Sequence, residues 1–291
     1  MDRANAILGL RAETPIHAGT GASTGVVDLP IQREGHNGWP CVFGSALKGA
    51  LRARAEQVLG KAEPSIPVVF GPDTNNASEH AGALAVGDAR LVLLPVRSLT
   101  GHFRWVTCPA ALSRLRRDGE RLGLGMAVPT LEGPAKDAAL VPETGGDLFL
   151  EELRFEAAPA DLTAVIEALA PLMGEGGAAE LGAQLAVVHD DRFAHLVQHA
   201  TPVSAHVSID SDTKTVSGGA LWYQEDLPPE TVLYAPLTAA PARAKEAGLA
   251  ADAVLGAVTD SLFAGRPYLQ VGGDETVGMG WCHTAVVNGE G

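Results

Sequence analysis

No stretch of this chain comes near the ~20 consecutive apolar residues that a membrane helix needs. Its opening, MDRANAILGLRAE, places no apolar run behind basic residues, so no leader is expected and the protein is read as cytoplasmic, with no membrane partner. Cysteine is scarce. Cys41, Cys108 and Cys282 are odd in number, far apart and in none of the paired spacings that hold zinc, which argues against disulfides and a cysteine metal site and for three small buried residues. Nucleotide-cofactor fingerprints are missing too: Gly19, Gly21 and Gly25 are not followed by Gly-Lys-Ser/Thr and do not have dinucleotide spacing, so neither ATP nor NAD is expected. Internal repeats and low-complexity tracts are also lacking.

Positive charge is short overall, with a formal net charge of -14 over 291 residues, and phosphate binding normally leaves a basic footprint. The distribution of charge points the other way. Residues 1–54 carry six Lys/Arg against four Asp/Glu, residues 90–121 carry seven against two, and residues 122–291 hold seven against 24. The basic charge is thus concentrated in the first half, where two runs stand out. VVDLPIQRE at 26–34 carries one isolated carboxylate, Asp28, and GSALKGALR at 44–52 reads as the start of a helix. There Ser45 is placed to cap the first turn, and Lys48 and Arg52, four apart, share a face. Backbone donors, the positive end of the helix dipole and two cations would then meet a polyanion.

Apolar periodicity gives a mixed pattern. Ala6–Ala12 reads as a strand, 13–38 as irregular, and Ser45–Leu59 as a helix with Leu47, Leu51 and Leu59 on one side. Residues 61–82 read as a loop, 83–98 as a strand pair or one bent strand, 109–117 as a short basic helix and 123–147 as a Gly/Pro-rich insertion. Further on, 148–155 is strand-like, 162–173 helical, 231–237 a strand, 249–263 a helix, and strands at 269–271 and 281–287 flank a glycine-rich turn. Residues 202–209 and 220–223 alternate on either side of a polar tip, which predicts a projecting hairpin. The fold class expected is α+β, a ferredoxin- or RRM-like sandwich with large insertions.

The segments ETPIHAGTG (13–21), VVDLPIQREGHNGWP (26–40), GSALKGALR, GDARLVLLPVRSLTGHFRWVTCP (87–109), DTKTVSGGALWYQEDLP (212–228) and VGGDETVGMG (271–280) together resemble the backbone subunit of the type III-B (Cmr) CRISPR effector, in the RAMP superfamily. The resemblance runs from the first strand to the last. It implies a single right-hand-shaped domain: an RRM-like palm from 1–60, 83–110 and 230–291, an inserted helical finger region at about 61–82 and 111–200, and a thumb hairpin at about 202–226. It implies copies of the chain in a filament along a guide RNA, together with other subunits of the complex, and cleavage of complementary target RNA at regular intervals, one cut per subunit. Residue by residue it implies Asp28 as the cleaving aspartate and His17, in the preceding loop, as a second candidate catalytic residue. It also implies Ser45, Lys48 and Arg52 as grips on the guide, and the turn bearing Gly272, Gly273, Gly278 and Gly280 as a loop lying against RNA.

Beside the resemblance, the residues allow a direct chemical reading. Asp28 lies between two valines and Leu29-Pro30, a stiff, extended context beside a glycine-bearing loop. Cleavage of RNA by its own ribose needs the 2′-OH aligned with the leaving oxygen, and one carboxylate can take the proton or hold a divalent ion, Mg2+ or Mn2+. By itself a loop aspartate is more often a turn residue, a histidine such as His17 more often packed, and Asp274 and Glu275 more often bonded to their own turn. Arg114, Arg116, Arg117 and Arg121 read as a solvated helix face. The four tryptophans read as core by default, with Trp222 and Tyr223 near the hairpin as candidates for stacking on bases. Two alternatives stay open: a non-catalytic RNA coat, and a guide-processing RAMP endoribonuclease acting alone on a precursor.

Overall fold

The computed structural model describes residues 3–72, 80–142, 145–244 and 247–289. In chain order the first half holds β1 (Ala4–Ala12), β2 (Cys41–Val42), α1 (Gly44–Leu59), α2 (Ser65–Phe70), β3 (Leu84–Val86), β4 (Ala89–Arg97), β5 (Phe103–Thr107) and α3 (Pro109–Leu122). There follow β6 (Ala138–Val141), β7 (Gly146–Leu150), β8 (Leu153–Pro159), α4 (Thr163–Leu169), α5 (Gly177–Gln184), β9 (Leu185–Val188) and α6 (Asp190–His199). The last third holds β10 (Val203–Ile209), β11 (Val216–Glu225), β12 (Val232–Ala239), α7 (Ala251–Thr259), β13 (Tyr268–Gln270) and β14 (Trp281–Asn288).

Twelve strands form one sheet in the order β13-β14-β1-β12-β4-β5-β9-β6-β8-β7, with β2 added to β4 and β3 to β12. Pairing is antiparallel except at β5/β9 and β6/β8. The first and last thirds of the chain meet at its centre, where β1 lies between β12 and β14. Both sheet faces are covered, so β1 and β12 are nearly continuous apolar runs. Ala6, Leu8 and Leu10 join the cluster packed by α1, α2, α6 and α7, while Ile7 joins the one packed by α3, α4 and α5. Gly9 is needed between them, because a Cβ there would lie 2.3 Å from the carbonyl oxygen of Leu172.

Some sequence expectations hold in the structure and others are corrected. The expected 61–82 loop contains α2, and its residues 73–79 lie outside the described residues, as do 143–144 of the expected insertion. Of the two expectations for 83–98, one bent strand holds and the strand pair does not: β3 and β4 both run antiparallel to β12 as one interrupted line. Residues 111–200 carry helices and also four strands, β6 to β9, which lengthen the sheet. Leu59 is 41% exposed, unlike the fully buried Leu47 and Leu51. All three cysteines are free and buried, and burial pushes the thiols of Cys41 and Cys282 up to about 12. The hairpin β10/β11 stands apart as a two-stranded sheet. No helix of the described residues is long and apolar enough to cross a membrane.

Candidate RNA-cleaving site at the root of the hairpin

One edge of β11 pairs with β10, and the other edge is where the site assembles. Along that free edge the alternating N–H and C=O groups of Tyr223 and Glu225 point towards the loop of residues 13–38. Leu29 N–H donates to the Tyr223 carbonyl (3.0 Å) and Glu225 N–H to the Leu29 carbonyl (3.0 Å), so the loop adds a short parallel bridge to the strand. Tyr223 N–H then donates to Asp28 Oδ2 at 2.8 Å. His17 docks further along the same edge, its Nδ1 2.9 Å from the Glu225 carbonyl and 3.4 Å from Asp226 Oδ1. Tyr223 and Glu225 are two residues apart, so the two side chains meet the strand at points ~7 Å apart.

Three consecutive polar residues, Gln224, Glu225 and Asp226, are buried here at 4, 7 and 5% exposure, and each is satisfied. Glu225 Oε1 accepts from Arg33 Nη2 (2.6 Å) and the Thr201 hydroxyl (2.6 Å), while Oε2 accepts from Ile31 N–H (3.2 Å). Arg33 also donates to the carbonyls of Gly38 and Val197, which ties the hairpin root to α6. Gln224 Nε2 donates to Asp226 Oδ1 (3.1 Å) and to Asp274 Oδ2 (2.9 Å). The Asp274 carboxylate therefore bonds a side chain across the site, while its carbonyl accepts from Val277 and Met279 N–H within the turn. Sequence reading missed Arg33, Gln224, Glu225 and Asp226; the available signal was a polar triplet, QED, closing an alternating strand directly before Leu-Pro.

The glycine turn closes over His17. Gly273 N–H donates to the His17 carbonyl and Gly280 N–H to that of Pro15. Gly272 has φ +89°, and a Cβ on it would lie 2.4 Å from the His17 carbonyl oxygen, so only glycine fits this approach. Gly278, also at positive φ, ends the short 3-10 segment Glu275–Val277, whose exposed surface includes Val277.

At α1 the expected cap is corrected. Ser45 is not the cap: Phe43 occupies that position and has no side-chain cap, while Gly44 N–H donates to Asp88 Oδ1 at 2.7 Å. The start of the helix is thus met by the chain's own carboxylate, and Ser45 is exposed. Lys48 and Arg52 do share a face. Lys48 Nζ donates to the Leu84 carbonyl, and Arg52 donates to the Gly71 carbonyl and to Glu56. Partial burial, and then the positive charges of Arg243 and Arg52, hold the Lys48 pKa below the usual lysine value. Cations crowd together on this face. Arg114, by contrast, is no solvated residue: it makes a two-oxygen ion pair with Glu34 and lies over the Trp39 ring.

On the hairpin, Trp222 stacks on His206 across the strands, with ring centroids 5.5 Å apart, and Tyr223 is 43% exposed. Trp39 and Trp105 are core, as expected, but Trp281 is 38% exposed. Among the described residues no group of three or more His, Cys, Asp or Glu side chains could enclose a metal ion, and Asp28 engages only Oδ2.

Residues 10–283 match the RAMP superfamily. The CRISPR system Cmr endoribonuclease Cmr4 of Pyrococcus furiosus is 38% identical over 285 residues, covering 94% of this chain and 93% of that one. The crystal structure of oligomeric Cmr4 from Pyrococcus furiosus superposes with a TM-score of 0.75 at 29% identity, covering 99% of each chain. A chain of the type III-B Cmr-beta assembly bound to cognate target RNA shares the fold, with a TM-score of 0.76 at 21% identity over 97% of each. The chain belongs to the RAMP superfamily and, within it, to the Cmr4 family.

Proposed function

We propose that this chain coats the guide RNA of a type III-B CRISPR effector and cuts complementary target RNA at regular intervals, with Asp28 as the cleaving carboxylate. At the coarser level it is an endoribonuclease subunit of a Cmr complex, and its partners are guide and target RNA, further copies of itself and the other subunits. The observation that carries the finer reading is the Tyr223 N–H bond to Asp28 Oδ2. It anchors the carboxylate on the hairpin strand itself, so an element that spreads an RNA duplex would carry the acid group with it.

The 2′-oxygen of one ribose attacks its own 3′-phosphorus and the bond from phosphorus to the next 5′-oxygen breaks. The 2′-hydroxyl proton passes to Asp28 Oδ1 and the 5′-oxygen takes a proton from solvent, leaving a 2′,3′-cyclic phosphate and a 5′-hydroxyl. An aspartate is a weak base, so most of the acceleration comes from holding the 2′-oxygen in line. Were a divalent ion, Mg2+ or Mn2+, bound, Asp28 would be the one protein carboxylate to hold it, since no group of three or more His, Cys, Asp or Glu side chains among the described residues could enclose it, and its free oxygen would then hold the ion instead of taking the proton. When bound it supplies positive charge against the phosphate. His17, held between Glu225 and Asp226 under the glycine turn, positions the loop that carries Asp28.

Asp28→Asn keeps an acceptor for Tyr223 N–H and removes the charge. Assembly and target binding are expected to stay near wild type while the regularly spaced cuts disappear; unchanged cutting takes Asp28 out of the chemistry. The same hydrogen bond also suits a simple turn residue in a non-catalytic coat, and that reading gains if the variant cuts normally within an intact filament. For Lys48→Ala and Arg52→Ala the expectation is weaker RNA retention and a salt dependence shallower by about one phosphate contact each. Wild-type salt tolerance in both would remove α1 from the RNA path.

A further inference from the structure

A second aromatic site lies away from the hairpin, between α1 and the edge ribbon β13/β14. In the ribbon's register Tyr268 faces His283 and Gln270 faces Trp281, so these four side chains share one face, while Leu269 and Cys282 point into the core. Tyr268 is 42% exposed and Trp281 38%. Across from them α1 offers Ala50 and Ala53, whose small side chains leave a groove. The groove opens into a cleft of about 370 Å³ lined by Glu13, Arg54, Arg266, Tyr268 and Trp281. Its walls are mostly carbon and its charge is two guanidinium groups against one carboxylate.

The main chain of Trp281 is fixed: its N–H donates to the Thr14 hydroxyl and its carbonyl accepts from Glu13 N–H. The indole is therefore held at the surface by a rigid strand. Arg54 donates weakly to the Arg266 carbonyl (3.4 Å), and its buried Nε has no partner among the described residues. The groove also reaches Glu275 in the glycine turn, and so is continuous with the loop that ends over His17.

Two exposed aromatic rings beside two arginines, in a chain of net charge -14, match one chemistry: a flat base flanked by a phosphate. We infer that this cleft between α1 and the β13/β14 edge binds one unpaired nucleotide of single-stranded RNA, its base against Trp281 and Tyr268 and its phosphate on Arg54 and Arg266. The inference rests on the RNA-coating reading above but names a contact that takes no part in cleavage.

Titration of the purified chain, in a Trp222→Phe background, with single-stranded poly(A) is expected to quench the exposed Trp281, since Trp39 and Trp105 are buried. Trp281→Ala is expected to weaken binding about 10-fold, Trp281→Phe to keep most of it, and Arg54→Gln with Arg266→Gln to flatten the salt dependence by about two phosphates. Unquenched fluorescence together with wild-type affinity in Trp281→Ala overturns the inference; if the alanine variant instead changes only the oligomeric state in sedimentation, the cleft is a contact between copies. Failure of the Lys48 and Arg52 variants to bind RNA, with Trp281→Ala unaffected, would spare the coating reading and sink this one. A wild-type chain and assembled complex that both ignore poly(A) would sink both.

Discussion

The central sheet and the hairpin are both antiparallel β-structure, yet they are built on opposite terms. β1 and β12 are paired on both edges and covered on both faces, with almost every residue buried. β10 and β11 pair with one another, and six of seven β10 residues are exposed, including Val203, Val207 and Ile209. An isolated two-stranded ribbon is marginal in water. The hairpin keeps its shape because its root is tied down by the buried polar triplet 224–226 and the Arg33–Glu225 pair. The contrast separates two duties: the sheet supplies stability, and the hairpin presents apolar surface and a carboxylate.

Substitutions can break this division, and the largest effect on folding belongs in the sheet. Leu8 is fully buried at the centre of β1, so Leu8→Ala is expected to cost about 3 kcal/mol through lost transfer energy and the cavity left behind, seen as a lower denaturant midpoint. A loss below about 1 kcal/mol would mean that β1 is not the centre of the core. The root comes next. Arg33→Ala leaves Glu225 buried without its cation and unties two carbonyls; about 2 kcal/mol is expected, since Arg33 is itself partly exposed. Hydrogen exchange should then rise in β10 and β11 and not in β1. Uniform loosening would show that root and sheet unfold as one unit.

The same contrast explains what could be read from the sequence. β1, α1, β12 and β14 announce themselves because apolar period and flanking glycines act locally, and the hairpin because two alternating runs flank a polar tip. The cap on α1 could not be read, since its acceptor, Asp88, is 44 residues away and the local candidate, Ser45, is unused. The α5–β9–α6 segment also passes unnoticed: β9 is only Leu185–Val188, and its identity as a strand depends on parallel pairing with β5 from far along the chain. Asp28 could be singled out, but what holds its carboxylate is a backbone N–H 195 residues on. Arg114 fits a helix-surface pattern until Glu34 and Trp39, from a distant loop, enclose it.

The smallest effect is expected at the hairpin tip, and it sharpens the comparison most. Ile209 and Val216 face each other across the ribbon at 61 and 56% exposure, so Ile209→Thr should change stability by less than about 0.5 kcal/mol while weakening target cutting. Beyond them Asp210 accepts hydrogen bonds from the N–H and hydroxyl of Thr213 and from Asp212 N–H, which hold its carboxyl below the usual carboxylate range. A depressed folded value means that the order it lends the tip is fully present above the unfolded value of about 3.9 and is lost as pH falls through the lower folded value. The Thr213 amide resonance should report that titration while the melting temperature follows a different pH course, set by groups elsewhere. If instead the melting of the whole molecule tracked Asp210, the tip would be coupled to the sheet, and the separation between a stable sheet and an independent hairpin would fail.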